Sequence, residues 1–337
     1  MDHRLKKKEQ SKKQTNTGLN MESKYDMQMM VQAARMYYLE GLTQQNIAKE
    51  LGISRSYVSM LLSEARELGI VNVKIKNPLA NNAKLANALK DTFGTPNCFV
   101  VPTVVTAVLP LTKILAAQGV LAAEKLIESH STVGIAWGLT CYEFMKAFSD
   151  NTNLSDVNVV PLIGGSHHLS SEFQLNEMVR FFAEKIKGMP SFIYAPALAE
   201  STEDKALHMK SQYMQSIIEK WRKIDVAIVG VGSPPEYYSE KSQFDPYARK
   251  AQYDEDPKKT VGDICARRFN IHGQFLDNEY NERIMGIDEE SLRHAKKVLS
   301  IAGGQHKVLS VIGALRLNII THFVTDENTA KAILNLA

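Results

Sequence analysis

From Asn97 onward, short apolar runs alternate with helical patterns, and this alternation dictates the fold class. Cys98–Val101 (CFVV), Val133–Ala136 (VGIA), Val157–Ile163, Phe192–Ala195 and Val226–Val231 (VAIVGV) are brief and almost continuously apolar. Strands buried on both faces read this way, because helices cover both sides of a parallel sheet. Between them apolar residues recur three and four apart, as Leu175, Met178, Val179, Phe182 and Ile186, then as Met214, Ile217, Ile218 and Trp221. Val298–Ala302 and Ile320–Thr325 add two strands, each with a following helix. An α/β domain with a mainly parallel, doubly wound sheet is expected over 96–337. Ser233–Thr260 interrupts it with prolines, tyrosines and charges, a long loop of the kind that covers ligands.

Upstream the grammar is helical. Thr43–Leu62 reads TQQNIAKELGISRSYVSMLL. Ile47, Ala48 and Leu51 give a short helix one apolar face, and Gly52 breaks it by turning left-handed at low cost. Ser54 is a good N-cap for a second helix, in which Val58, Leu61 and Leu62 face the first. Small Ala48, then Gly52, then Val58 and Leu61 is the spacing of a helix-turn-helix, where the small residue lets the helices cross closely. The opposite face carries Ser54, Arg55, Ser56, Tyr57, Ser59 and Met60, with Thr43 and Gln44 opening the first helix. Short hydroxyls, an amide and one arginine suit a helix laid in a major groove, bonding phosphates and base edges. An ordinary helical hairpin with a solvated outer face is the bland alternative.

Tyr25–Gly41 reads as an amphipathic helix with Met30, Ala34, Tyr37, Tyr38 and Gly41 on one face, closing a three-helix core. Ile70–Lys76 (IVNVKIK) alternates like a strand and reads as a wing whose lysines reach phosphates. A DNA-binding domain over 23–78 follows. Asn81–Gly94, with Leu85, Leu89 and Phe93 at four-residue steps, is a linker helix within 79–95. It pairs with its copy in a dimer or packs on its own body.

Charge narrows the partners. The chain of 337 residues has a net charge of only +3. Residues 1–20 hold six basic residues against Asp2 and Glu9, so the remainder is close to neutral and any nucleic-acid binding must be local. Residues 1–22 are polar and aperiodic, a disordered basic tail that reads equally as a DNA-contacting arm or as sequence before a start at Met21. Cys98, Cys141 and Cys265 lie far apart, which fits neither a disulfide framework nor a metal site and suits a reducing, cytoplasmic compartment. No run approaches the length of a membrane span, and no apolar stretch follows the basic tail as it would in a secretory signal.

In an open parallel sheet, ligands bind beyond the carboxyl ends of the strands. Five such ends are rich in glycine or polar residues: Trp137–Thr140, Gly164–His168, Gly230–Ser233, Gly262–Asp263 and Gly303–Lys307. Glycines let backbone amides approach an anion, and a helix N-terminus adds positive polarity. Thr140 and Lys307 are further anion donors, and Asp263 accepts from hydroxyls. Together they suit a phosphorylated sugar or polyol, held by Gly138, Leu139, Thr140, Gly164, Gly165, His168, Gly232, Asp263 and Lys307. Gly230–Ser233 is no dinucleotide fingerprint, since Pro235 stands where a third glycine is needed, and no cofactor is expected. His167 and His168 are adjacent without a carboxylate partner, which makes loop residues of them rather than metal ligands.

From about Met27 to the end, the chain resembles the SorC-type sugar-binding transcriptional regulators. The matching text is YYLEGLTQQNIAKELGISRSYVS, GIAWGLT, VVPLIGG, SSEFQLNEM, APALAES, DVAIVGVGS, VGDICARRFNIHG, IAGGQHK and FVTDENTA, in that order. The resemblance implies an effector domain similar to sugar-phosphate isomerases and aminosugar-phosphate deaminases, joined to a helix-turn-helix. It also implies homotetramers whose operator affinity changes with a phosphorylated sugar. Gly138 and Thr140 match the family's phosphate loop, Gly164 and Gly165 its second glycine loop, Asp263 the polar residue of GDIC, and Lys307 the lysine opening the late helix. Leu139 and Asn270 depart from the pattern, where a polar residue and an aspartate are common. An enzyme with an appended DNA-binding domain is the alternative, with Asp263 and His272 as its candidate bases.

Overall fold

The structure, a computed structural model, describes residues 26–71, 81–150, 153–166, 173–233 and 259–337. The chain divides into two units, Met1–Ile75 and Lys76–Ala337.

The first unit is three helices, α1 (Met27–Tyr38), α2 (Gln44–Leu51) and α3 (Arg55–Glu67). Each start is chemically marked. Asp26 accepts from the Gln28 and Met29 amides, Thr43 from Asn46 and Ser54 from Tyr57. Gly52 ends α2 in the left-handed region at φ +66, and its amide returns to the Ala48 carbonyl. Met30, Ala33, Ala34 and Met36 of α1 close over Ile47, Ala48, Val58, Leu61, Leu62 and Ala65. Tyr37 and Tyr38 are exposed rather than in that core, since α1 ends there and Met36 fills the space instead. Their rings meet edge to face with centroids 5.0 Å apart. Beyond Val71 the expected wing strand lies outside the described residues.

In chain order the second unit contains α4 (Ala83–Phe93), β1 (Asn97–Val101), α5 (Val108–Ala123), β2 (Thr132–Ile135), α6 (Leu139–Ala147), β3 (Asn158–Pro161), α7 (Leu175–Lys185), β4 (Met189–Pro190), α8 (Thr202–Lys210), α9 (Gln212–Trp221), β5 (Val226–Gly230), β6 (Gly262–Ile264), β7 (Arg267–Phe269), α10 (Glu279–Arg283), α11 (Glu289–His294), β8 (Lys297–Ile301), α12 (Val308–Arg316), β9 (His322–Asp326) and α13 (Glu327–Leu336). Seven strands form one sheet in the order β1-β9-β8-β5-β2-β3-β4, every neighbouring pair parallel. β6 and β7 pair separately as an antiparallel hairpin. From β2 the chain steps outward through β3 to β4, and from β5 it steps the other way through β8 to β9. The winding therefore reverses between β2 and β5, and the crevice beyond their carboxyl ends is the natural ligand position.

The fourth expected strand moves. Phe192–Ala195 is not in the sheet, and its edge is the two-residue β4, at Met189–Pro190. The ladder to β3 runs through the Met189 and Ser191 amides, which donate to the Val157 and Val159 carbonyls at 2.7 Å each, so Pro190 at the edge costs it no bond. Past it, Ile193 bonds through both its amide and its carbonyl to the Asn176 side chain, at 3.0 Å each. α4 packs on its own body: Ala86, Leu89 and Phe93 are buried, and Asn82 donates to Glu327 of α13 at 2.8 Å.

Candidate functional site

At the carboxyl end of β2, Gly138 adopts φ +106 and ψ 164, a conformation side chains rarely tolerate, although a Cβ there would meet nothing within 4 Å. The glycine is required by backbone shape rather than by crowding. α6 starts immediately after it, and no side chain caps it. The first-turn amides of Leu139, Thr140 and Cys141 thus open the helix toward the reversal crevice with their positive polarity.

Across the crevice, at the end of β5, crowding decides. A Cβ on Gly232 would lie 1.7 Å from Asp263 Oδ1. The Gly232 amide donates to the Asp263 carbonyl at 2.9 Å. Asp263 Oδ2 in turn accepts from the Ala266 amide at 3.1 Å, holding the two-residue turn Cys265–Ala266, both left-handed at φ +51 and φ +60. Lys307 stands on a 3₁₀ turn, Gln305–Lys307, beyond β8, and donates Nζ to the Val231 carbonyl at 2.6 Å. This bond orients the ammonium toward the end of β5.

Hydrogen bonds bring these pieces to the end of β5: Cys141 Sγ donates to the Ile228 carbonyl at 3.9 Å, Gly232 pairs with Asp263, and Lys307 bonds Val231. Burial pushes the Cys141 thiol up to about 12, and Lys307 acts on it in the opposite direction. Burial likewise raises Cys265, with Cys141 and Asp263 adding to the effect. Thr140–Cys141, Gly230–Gly232, Asp263–Cys265 and Lys307 therefore share one neighbourhood. Both thiols are buried.

Other expected site residues behave differently. Gly164 and Gly165 follow β3, but their amides face no anion: they donate to the Met285 and Ala195 carbonyls at 2.8 and 2.9 Å. A Cβ on Gly164 would come within 2.5 Å of the Pro196 carbonyl oxygen, so this glycine serves close backbone packing. The Gly304 amide is also committed, to Thr329 Oγ1 at 2.7 Å. His167 and His168 lie outside the described residues, as does most of Ser233–Thr260. His272 is exposed in a turn whose amides bond Asn270 Oδ1, which gives Asn270 a structural role. Among the described residues no three His, Cys, Asp or Glu groups could hold a metal ion. No helix among them is long and apolar enough to cross a membrane.

Most of the expected Gly303–Lys307 end lines a cavity whose other wall, from Thr103 and from Asp326 to Thr329, the sequence did not suggest. This cavity, of about 470 Å³, opens beyond β1, β9 and β8, lined by Thr103, Gln305, His306, Asp326 and Asn328 among others. Asp326 is buried and caps α13, accepting from the Asn328 and Thr329 amides and from Thr103 Oγ1 at 2.6 Å. The Asp-Glu-Asn-Thr start of α13 is a cap signal that was open to reading. Burial, aided by Lys307, lowers the His306 pKa.

In the first unit, candidate DNA contacts divide by exposure. Arg55, Ser56, Ser59 and Met60 are exposed on α3, and Tyr57 is half-buried against the core. Ser54 Oγ accepts from Tyr57 at 3.1 Å and meets Ser56 Oγ at 2.9 Å. Arg55 and Gln44 line one groove of about 800 Å³ with Tyr37, Gly41 and Thr43.

Comparison with known proteins agrees with both halves. Residues 77–335 match a family described as "Putative sugar-binding domain", and residues 32–67 match "Sigma-70, region 4". The chain is 30% identical to the sorbitol operon regulator of Klebsiella pneumoniae, over 93% of this chain and 100% of that one. It is 29% identical to the deoxyribonucleoside regulator of Bacillus subtilis, over 91% and 97% respectively. The crystal structure of the full-length Klebsiella pneumoniae regulator SorC superposes with a TM-score of 0.70, covering 93% of this chain and 100% of that chain. The chain belongs to the SorC-type family of sugar-binding transcriptional regulators.

Proposed function

We propose that this regulator binds operator DNA through α3 and that a phosphorylated sugar, seated in the reversal crevice, controls that binding. What supports the reading is that an uncapped α6 follows β2 while, beyond the adjoining strand β5, Lys307 bonds the Val231 carbonyl and Asp263 pairs with Gly232. The first two favour a phosphate, and the third accepts from sugar hydroxyls. Relatives named as a sorbitol operon regulator and a deoxyribonucleoside regulator support a carbohydrate effector. The effector changes operator affinity by binding one arrangement of the molecule better than another. Two copies are needed to read half-sites in register, and a homotetramer in the cytoplasm is the proposed working form. Light scattering that finds only monomers, with DNA and with effector, would refute that assembly.

No catalytic step is assigned. Asp263 is bonded into its own turn, and His272 is exposed at the turn after β7. The decisive experiment begins with a thermal-shift screen of phosphorylated sugars. Each hit is then compared by calorimetry with its unphosphorylated counterpart. Charge-assisted hydrogen bonds contribute about 1.5–3 kcal/mol each, so losing two should weaken binding by orders of magnitude. Equal affinity for the two forms would end the proposal.

A further inference from the structure

The hairpin that carries Asp263 is anchored on both sides of the crevice. On the β5 side it is held by the Gly232–Asp263 contact, and Ser310 of α12 donates to the Val261 carbonyl at 2.6 Å. On the β3 side the anchor is Arg267. Its Nε donates to the Ile287 carbonyl at 2.8 Å, and its two terminal nitrogens donate to Asn281 and Gly286 carbonyls at 3.2 Å each. Those carbonyls belong to a segment that is itself stitched to the end of β3. The Ile287 amide donates to the Leu162 carbonyl, the Met285 carbonyl accepts from Gly164, and Ile163 bridges Gly286. In the sheet, β2 lies between β5 and β3. The hairpin therefore spans from one neighbour of β2 to the other, with the start of α6 at the strand end between them.

An arginine is a costly choice for this anchor. Burial disfavours its charge and lowers its pKa, opposed only in part by Cys265, Asp288 and Glu289. The rigid planar fork supplies donors in fixed directions, which a lysine or an amide does not. Three carbonyls bonded by one such group set the hairpin's position and its tilt together.

We propose that Arg267 is a positioning residue for the effector: it fixes where Asp263 stands over the α6 start, and so governs recognition of the sugar hydroxyls but not of the phosphate. This rests on the crevice being the effector site. A residue that only held the fold together would act on every ligand alike.

The test uses the full chain as wild type, Arg267→Lys, Arg267→Gln, Asp263→Asn and the double variant Arg267→Lys with Asp263→Asn. Calorimetry is run with inorganic phosphate, sorbitol 6-phosphate, fructose 6-phosphate and glucose 6-phosphate, alongside thermal melts. Arg267→Lys should leave the affinity for inorganic phosphate within about twofold. It should reduce the preference for the best sugar phosphate over inorganic phosphate by about tenfold, the effect of one well-made hydrogen bond. In the Asp263→Asn background the same change should add nothing, because the two act through one contact. Parallel loss for phosphate and sugar phosphates would overturn the positioning role, as would additive effects of the two changes. Failure of both Arg267 variants to fold would make the residue a fold determinant and overturn it too. A wild-type chain that binds none of the four probes overturns the crevice reading itself, and the role of Arg267 falls with it.

Discussion

The hydroxyl of Ser54 serves its helix before it serves any ligand. It accepts from the Tyr57 amide, so Ser54→Ala should lower the stability of the first unit by about 1 kcal/mol, read from a denaturant melt. Arg55 is exposed and has no such duty. Arg55→Ala should leave that melt alone and weaken operator binding by about 1–3 kcal/mol if it reads a base edge. A loss of equal size on every DNA sequence would make it a phosphate contact, and no loss would remove α3 from the interface. Lys307→Ala should blunt the effector response while sparing effector-free operator binding, measured by gel shift with and without a sugar phosphate. Equal damage to both would show that Lys307 acts through the fold. At this scale the sequence showed which residue types cluster at strand ends. It could not show that the Gly164 amide is taken, because its acceptor, Met285, lies far along the chain.

Among elements, the hairpin β6–β7 depends most on a single atom's absence. A methyl on Gly232 would overlap the Asp263 carboxylate, so Gly232→Ala must displace either the β5 end or the hairpin. The expected cost is about 1–3 kcal/mol, typical of overpacking, confined to the melt of the second unit. An unchanged melt would mean that the hairpin yields freely. Periodicity made the helices legible, since Leu175–Lys185 and Gln212–Trp221 bury the apolar faces read for them. Phe192–Ala195 misled because an apolar extended run resembles a strand whether or not a neighbour bonds it. What decided the outcome was the Asn176 side chain, which no local pattern encodes. Strand order was equally hidden, as it follows from where each crossover lands.

For the molecule as a whole, two half-buried histidines set a pH response. Burial lowers the pKa of His306 and of His322, with Lys307 and Lys297 respectively adding to it. The unfolded chain therefore binds these protons first as pH falls. Their contribution is complete above about 6.5 and is lost as pH drops toward the lowered native values. Thermal melts from pH 8 downward should show this loss, and replacing both histidines by glutamine should flatten the slope. A steeper slope in that variant would reverse the assignment. The order of the sheet carries one more consequence. Among the described residues β1 pairs only with β9, and Thr103 bonds Asp326 across 223 positions of chain. During synthesis β1 must wait beside the ribosome with an open edge until the last strand, β9, emerges. Among the described residues, the apolar core of the three N-terminal helices is built from that first unit's own side chains. A nascent chain can thus close its three-helix core long before its sheet is complete, and a premature stop codon upstream of β9 would release a product with a finished first unit and a second unit whose sheet cannot close.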